Sequence, residues 1–504
     1  MGLSSLQLNV QMTWIDFAII GMYILLMLGV GYYIHRKAPN FDEYFIAGRA
    51  MTTPILICTL VSTYYGIDVL FGTSELAYNE GLVAFFGYSQ PTYLFFIVAA
   101  FFFAKRLREA EFKSLPDVLE RYYGRPAGLV GAVASFVYAL PAVGLFGLGM
   151  VFHVIFGLDW RIGALVIGLV ALGYTLMGGL WAVAITDTIQ FVMMCVTLAI
   201  AIPLIMGSVG GLGELQETLP ESYFEPLGGI PIGLVIIYAA TGLAVLVDPA
   251  FYQRIFAAKD FTKVRNALLI GIVVWGAYDW CVTATGMLAA GAAQAGTIPL
   301  DTHPDTALLK IVVFALPAGL TGLFLAGVLS SEMSTIDSYC LVAGGNLVYD
   351  IYRPIFNPKA SDEQLVRLTK WGIIVSWIVG YILALAFDRL LAMWVFMATL
   401  LTSTVLIPIT VGLFYRGRKT RLAGLLGCSF GFLGSIIYYI ILYACGTYDE
   451  EYATYIWNFT FGGSEFSIWQ EYALFFTLPL SLAGFLLGNM IGRTVHQPPA
   501  EVRA

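Results

Sequence analysis

The stretch from Thr321 to Ser338, TGLFLAGVLSSEMSTIDS, holds the densest group of residues able to do chemistry. It lies in an apolar segment, yet it sets Ser330 beside Ser331, with the small residues Ala326 and Gly327 one turn earlier. Such hydroxyls have two uses. They can donate to carbonyls of their own helix and serve packing alone. They can also turn their oxygens to a hard cation, which takes several oxygen ligands. Acids recur in equally apolar surroundings at Asp187, Asp248, Asp279 and Asp337. A carboxylate at membrane depth is a functional candidate by default. For Asp187 a salt bridge to a cytoplasmic basic residue is the competing reading. His153, alone in its segment, reads as a satisfied core residue.

Other chemistry finds no support. The six cysteines, Cys58, Cys195, Cys281, Cys340, Cys428 and Cys445, form no CxxC and no Cys/His cluster, so neither a zinc site nor a disulfide framework follows. No nucleophile–base pair is readable, and no GxxxxGK[ST] phosphate loop occurs. The expectation is therefore not an enzyme, with no organic cofactor and no nucleic-acid partner.

These residues must be positioned by membrane helices. The chain is 59% apolar and only 12% charged, where soluble domains run nearer a quarter charged. Thirteen spans are expected, at 13–34, 53–73, 81–104, 127–156, 161–178, 181–208, 231–256, 264–295, 311–348, 369–387, 390–414, 421–445 and 471–492. Met1 to Met12 lacks a basic segment and a cleavage site, so the first span is expected to be retained. With the N-terminus outside, all of the 26 basic residues except Arg161, Lys310 and Arg389 fall to the cytoplasmic side, Arg254 among them. The opposite loops are acidic or polar, as in 213–226 and 448–466. An external N-terminus and a cytoplasmic C-terminus follow, in a single transmembrane domain over 1–504. The cytoplasmic stretch 105–125 is expected to hold one short amphipathic helix.

Two spans read as broken. Span two carries Pro54, Ser62, Gly66, Asp68, Gly72 and Glu75, and span seven carries Gly242 and Asp248-Pro249. Proline removes a backbone donor and the residue before it resists helix. Non-helical backbone at membrane depth persists only where it lines a cavity. Two breaks at matching places point to inverted repeats with a site at their interface. The repeats are 53–208 and 231–414, with the span at 13–34 before them and two peripheral helices over 421–492 after.

Four stretches carry a resemblance: FDEYFIAGRAM (41–51), GGLWAVAITDTIQ (178–190), YQRIFAAKD (252–260) and AGVLSSEMSTIDS (326–338), the last followed by DIYRP (350–354). In this order the chain resembles the sodium/solute symporter family, which includes bacterial proline, sialic acid and sodium/galactose transporters. The likeness runs over nearly the whole length. It implies an all-α polytopic membrane protein with a five-plus-five inverted repeat, leucine-transporter-like, and flanking helices.

The resemblance also implies a site. One sodium would sit between the first core helix and the eighth, held by the carbonyls of Ser62, Tyr65 and Gly327 and the hydroxyls of Ser330 and Ser331. Gly327 stands where the family often has alanine, which a backbone ligand tolerates. Asp187, in the TDxxQ pattern, would affect coupling. A second sodium site in some relatives uses a later serine pair; here those positions are Met333 and Ser334, so one sodium is expected. Asp248, where sugar-transporting relatives place an amide, would meet an ammonium group, a hydroxyl donor or a proton. Tyr64, Asp68, Val69, Tyr88 and Gln90 would complete the substrate cavity. Val69 and Tyr88 replace polar residues of the sugar transporter, and Tyr64 replaces an aspartate of the proline transporter, so neither solute is favoured.

The function expected is sodium-driven import of a small polar solute, in the amino acid, amine/osmolyte or carboxylate class, by alternating access across the plasma (inner) membrane. One charge crossing 100 mV supplies roughly 2.3 kcal/mol, and a tenfold gradient about 1.4 kcal/mol. A monomer is compatible with this function. Two alternatives stay open: a proton-coupled transporter of the same fold, and a transport-like solute sensor.

Overall fold

The structure is a computed structural model that describes residues 12–34, 40–228, 230, 232–299, 302, 304–387, 390–449 and 454–492. It is almost wholly helical. Ten of the described helices are long and apolar enough to cross a membrane, or eleven when the bent pair Thr53–Tyr64 and Val69–Glu80 counts as one span. Two further expected spans fall on Trp160–Leu176, which is shorter, and on Leu320–Gly345, which is rich in hydroxyls. Spans one and thirteen, Trp14–Ile34 and Ala473–Ile491, expose residues such as Leu25, Tyr33, Leu486 and Met490. Apolar side chains displayed at this density suit lipid rather than water. Span nine, Leu320–Gly345, is by contrast buried along most of its length.

Both expected breaks are present. In span two the helix Thr53–Tyr64 stops at Tyr65, Gly66 is extended, and Ile67–Glu80 resumes after a bend of 57°. In span seven Ile232–Thr241 passes into a 3-10 helix at Gly242–Val247, and Asp248 caps a fresh helix, Pro249–Ala257. Span four is also interrupted, between Arg125–Tyr138 and Ala142–Phe156, at a turn that includes Pro141. Spans five and six join at Gly179, whose φ of 59° favours glycine. A Cβ there would also strike the Tyr44 carbonyl.

Three features differ from expectation. The segment 311–348 is not one helix: Pro304–Ala315 ends before Pro317 and Gly319, and span nine starts afresh at Leu320. Asp16 of span one caps that new start, accepting the amides of Gly319 and Gly322 at 2.8 Å each. Much of the polar stretch 448–466 folds into an antiparallel sheet of β1 (Thr447–Asp449), β2 (Thr454–Phe461) and β3 (Ser464–Trp469). The turn Gly462-Gly463 has positive φ at both residues, as a tight hairpin requires. Lastly, Arg254 is fully buried rather than placed with the cytoplasmic basic residues. The short helix expected within 105–125 is present as Leu115–Tyr123, with Ser114 accepting the Asp117 amide.

The four stretches behind the resemblance meet in space. Met51 and Lys259 pair through backbone, Lys259 N–H to the Met51 carbonyl at 3.0 Å. Gln253 donates to the Phe45 carbonyl at 2.8 Å, and the Phe41 ring stacks on Tyr349. Arg49 donates to the carbonyls of Phe256, Glu111 and Phe112. Their spacing along the chain therefore reflects one packed cluster.

Candidate functional site

A helix that stops leaves its last carbonyls without intrahelical donors. At the end of Thr53–Tyr64, inside the broken span two, these face span nine. Ser331 donates to the Tyr65 carbonyl. Ser334 donates to the Ser62 carbonyl at 2.9 Å, and Thr335 to the Thr63 carbonyl at 3.1 Å. On the other side of the break, Glu332 accepts the Ile67 amide at 2.6 Å. One turn of span nine thus satisfies both lips of the break, hydroxyls toward the carbonyls and a carboxylate toward the amide.

Of the five expected sodium ligands, Ser62, Tyr65 and Ser331 are brought into one contact zone. Ser330 returns its proton to the Ala326 carbonyl at 2.7 Å. Gly327 packs against span six, where a Cβ would collide with the Thr197 hydroxyl and lie 2.9 Å from the Thr197 Cβ. Close approach, rather than ligation by a backbone atom, accounts for glycine here. Ser334, left out of the expected set, is part of the zone. The arrangement gathers neutral oxygens whose lone pairs could hold a weakly bound cation once the hydroxyl protons turn away.

Asp187 lies below this zone in a salt bridge to Arg254, at 3.3 Å with neither side chain exposed. Arg254 also donates to Thr59 at 2.9 Å, to Thr63 at 2.6 Å and to Ser338. Thr59 itself donates to Asp187. Asp337 sits alongside, accepting from Ser338 at 3.3 Å. Arg254 thus pairs directly with Asp187 and is linked to Asp337 through Ser338, which accepts from Arg254 and donates to Asp337. Asp187 Oδ1 and Asp337 Oδ2 have no hydrogen-bond partner among the described residues. Such a group can take up a proton or a cation.

A cavity opens above the break, lined by Tyr64, Val69, Tyr138, Glu332, Tyr339 and Trp394 among others. Tyr64 and Val69, both expected in the substrate cavity, are among its lining residues. Asp248 stands one layer behind. Its carboxylate accepts from the Tyr138 hydroxyl at 3.0 Å, the Tyr339 hydroxyl at 2.6 Å and the Phe251 amide at 2.8 Å. Tyr88 and Gln90 do not line this cavity; Tyr88 rests near the Tyr238 ring and Gln90 is exposed. Asp68 lies in the second half-helix, with its side chain outside the described set. A second cavity includes Trp394, Thr241 and Glu471, so Trp394 borders both. Asp279 accepts from Tyr93, and His153 Nδ1 donates to the Leu158 carbonyl at 2.6 Å.

Sequence reasoning missed Glu332, Tyr138 and Tyr339, and weighed Ser334 only as half of a second sodium site. Glu332 had a signal: it is a carboxylate in a span, next to the serine pair. The tyrosines had none, because their role depends on contacts across the fold.

The profile of the Sodium:solute symporter family matches residues 44–431, and the chain belongs to that family. Among curated relatives it is 28% identical to a high-affinity choline transporter of Drosophila melanogaster over 395 residues, 74% of this chain and 62% of that protein. It is 25% identical to the sodium/pantothenate symporter of Escherichia coli, over 94% of this chain and 96% of that one. It is 24% identical to an osmoregulated proline transporter of Bacillus subtilis, over 73% and 77% of the two chains. Among solved structures, a substrate-bound, outward-open Na+-coupled sialic acid symporter superposes with a TM-score of 0.78, at 17% identity over 96% of this chain and 99% of that chain. The fold is therefore that of a multi-pass, leucine-transporter-like symporter.

Proposed function

We propose that this protein is a sodium-coupled symporter that imports a small polar organic solute by alternating access. The observation that carries the reading is the zone where Ser331 and Ser334 of span nine reach the Tyr65 and Ser62 carbonyls at the break of span two. Sodium enters as co-substrate. Its ligands in this reading are the carbonyls of Ser62, Tyr65 and Gly327 and the hydroxyls of Ser330 and Ser331, with Ser334 adjoining them. Each hydroxyl that now donates across the break would turn its proton elsewhere and offer a lone pair. Sodium then ties the two elements together, and its departure loosens them. The moving bodies are repeats 53–208 and 231–414 around this fixed site. Solute occupies the cavity between Tyr64, Val69, Tyr138 and Tyr339, with Asp248 orienting the tyrosines. Asp187 couples the sodium zone to Arg254. The N-terminus faces outside, the C-terminus faces the cytoplasm, and the membrane is the plasma (inner) membrane. The relatives' transport of choline, proline and pantothenate supports a small organic solute.

A proton-driven variant is favoured by one observation, two buried acids, Asp187 and Asp337, near one arginine that is ion-paired to Asp187 alone and linked to Asp337 through Ser338. A thermal-shift screen of amino acids, amines, osmolytes, carboxylates and sugars, run in sodium and in potassium, tests the proposal. A binding solute stabilises the native state. The expected result is a hit confined to sodium or much stronger there. Equal hits in both salts would remove sodium, and uptake driven by a pH gradient alone would then establish the proton-driven variant.

A further inference from the structure

We infer that the cavity is built for an alkylated ammonium cation, with Glu332 as its fixed counter-charge and aromatic rings as its walls. The inference rests on the symporter reading and names the solute class that the reading leaves open.

The first argument is the occupant of the half-helix N-terminus. A broken helix aims backbone amides and a positive dipole end at the central cavity, a ready seat for an anionic substrate group. Here Glu332 already takes that seat, accepting the Ile67 amide at 2.6 Å while lining the cavity. A solute carboxylate would meet a like charge where the fold otherwise offers it a partner. Gly144 preserves this placement, since a Cβ there would collide with the Glu332 carboxylate.

The second argument is the character of the walls. Tyr138 and Tyr339 line the cavity, but both hydroxyls are tied back to Asp248. They therefore present ring surface to a solute in place of donors. Tyr64 and Trp394 add two further aromatic side chains. No Lys, Arg or His lines the cavity among the described residues. Arg254 donates to Thr63 of the lining and is paired with Asp187. Aromatic faces around one carboxylate attract an ammonium whose substituents are apolar, through ring quadrupoles and the opposite charge. A polyol would leave its hydroxyls with few partners there.

The third argument is the adjoining cavity. It too carries a carboxylate, Glu471, and no basic residue among its described lining. Trp394 stands between the two cavities. Both chambers thus have the sign that draws in a cation.

Three probes of similar shape and different charge test this: tetramethylammonium, tert-butanol and pivalate. Each is titrated against the purified full-length protein in sodium, following the unfolding temperature at constant ionic strength. Tetramethylammonium is expected to stabilise the protein and the other two are not. Glu332→Gln is expected to weaken the tetramethylammonium response at least tenfold. Gly144→Ala, which displaces the same carboxylate without removing it, is expected to weaken it likewise and serves if Glu332→Gln does not accumulate. Stabilisation by pivalate, or an unchanged tetramethylammonium response in these variants, would overturn the assignment. A wild type that responds to sodium but not to tetramethylammonium would also overturn it, and would leave the symporter reading standing. Loss of the sodium response in the wild type would instead strike the symporter reading.

Discussion

Ser334 of span nine donates its hydroxyl to the carbonyl of Ser62 at 2.9 Å, 272 positions away in the chain. It also reaches the Ser331 carbonyl of its own helix at 2.7 Å. The broken end of span two is thus held from outside by a neighbour's side chains. Ser334→Ala leaves the Ser62 carbonyl buried with one donor fewer. Unfolding in sodium-free buffer should become easier by about 1–3 kcal/mol, the cost of a stranded polar group. Ser334→Thr keeps the hydroxyl and should lose less. Denaturant or thermal unfolding of the two variants measures the difference.

Arg254 is expected to be more sensitive than any loop arginine. Arg254→Gln leaves Asp187 without its charge partner in a site with no exposure. Breaking a buried pair from one side typically costs about 3–5 kcal/mol. Neutralising both partners, Asp187→Asn with Arg254→Gln, should recover part of that stability. A double-mutant cycle on thermal stability reads the coupling. An additive result would mean that the pair does not act as a unit.

Gly327→Ala should push spans six and nine apart at Thr197. Overpacking of this kind costs about 1–3 kcal/mol. Thr197→Ala removes the hydroxyl that the new methyl would strike, so the double variant should regain stability over Gly327→Ala alone. Unfolding temperatures of the three variants check this.

Near the short helix Leu115–Tyr123, Ser114 donates to Asp350 at 2.6 Å. Burial, and then the nearby Asp117 carboxylate, hold the Asp350 carboxyl well above its ordinary value of 3.8. The folded protein therefore binds this proton more tightly than the unfolded chain. Stability contributed by the protonated form is present at acid pH and is lost as pH rises above the ordinary carboxylate value. Asp350→Asn removes that loss. The variant should gain stability relative to wild type as pH is raised, in unfolding scans across the acid to neutral range. A difference independent of pH would contradict it.

Some of this was legible in the chain and some was not. The breaks at Gly66 and at Asp248-Pro249 were readable because glycine and proline act on their own backbone. Ser331 was readable because a polar pair in an apolar run is conspicuous. Arg254 was not, since charge placement along the chain says where a loop is but not which way a side chain at its edge turns. Glu332 was passed over because its partner, the Ile67 amide, becomes available only once the helix breaks. Asp248 was read as meeting solute directly; in the structure its oxygens hold Tyr138, Tyr339 and the Phe251 amide, contacts that span up to 110 positions. The sheet of β1 to β3 left a trace in the aromatic and β-branched run TYIWNFTF before Gly462-Gly463, which the acidic composition of the loop obscured.

The central claim is that neutral oxygens at the break of span two bind sodium. A sodium titration of purified wild type and Ser331→Ala, at constant ionic strength with potassium as the balancing ion, tests it most directly. Unfolding temperature in wild type should rise with sodium and not with potassium. The half-saturating sodium concentration should increase at least tenfold in Ser331→Ala. Coincident curves for the two proteins, or equal stabilisation by potassium, would contradict the account.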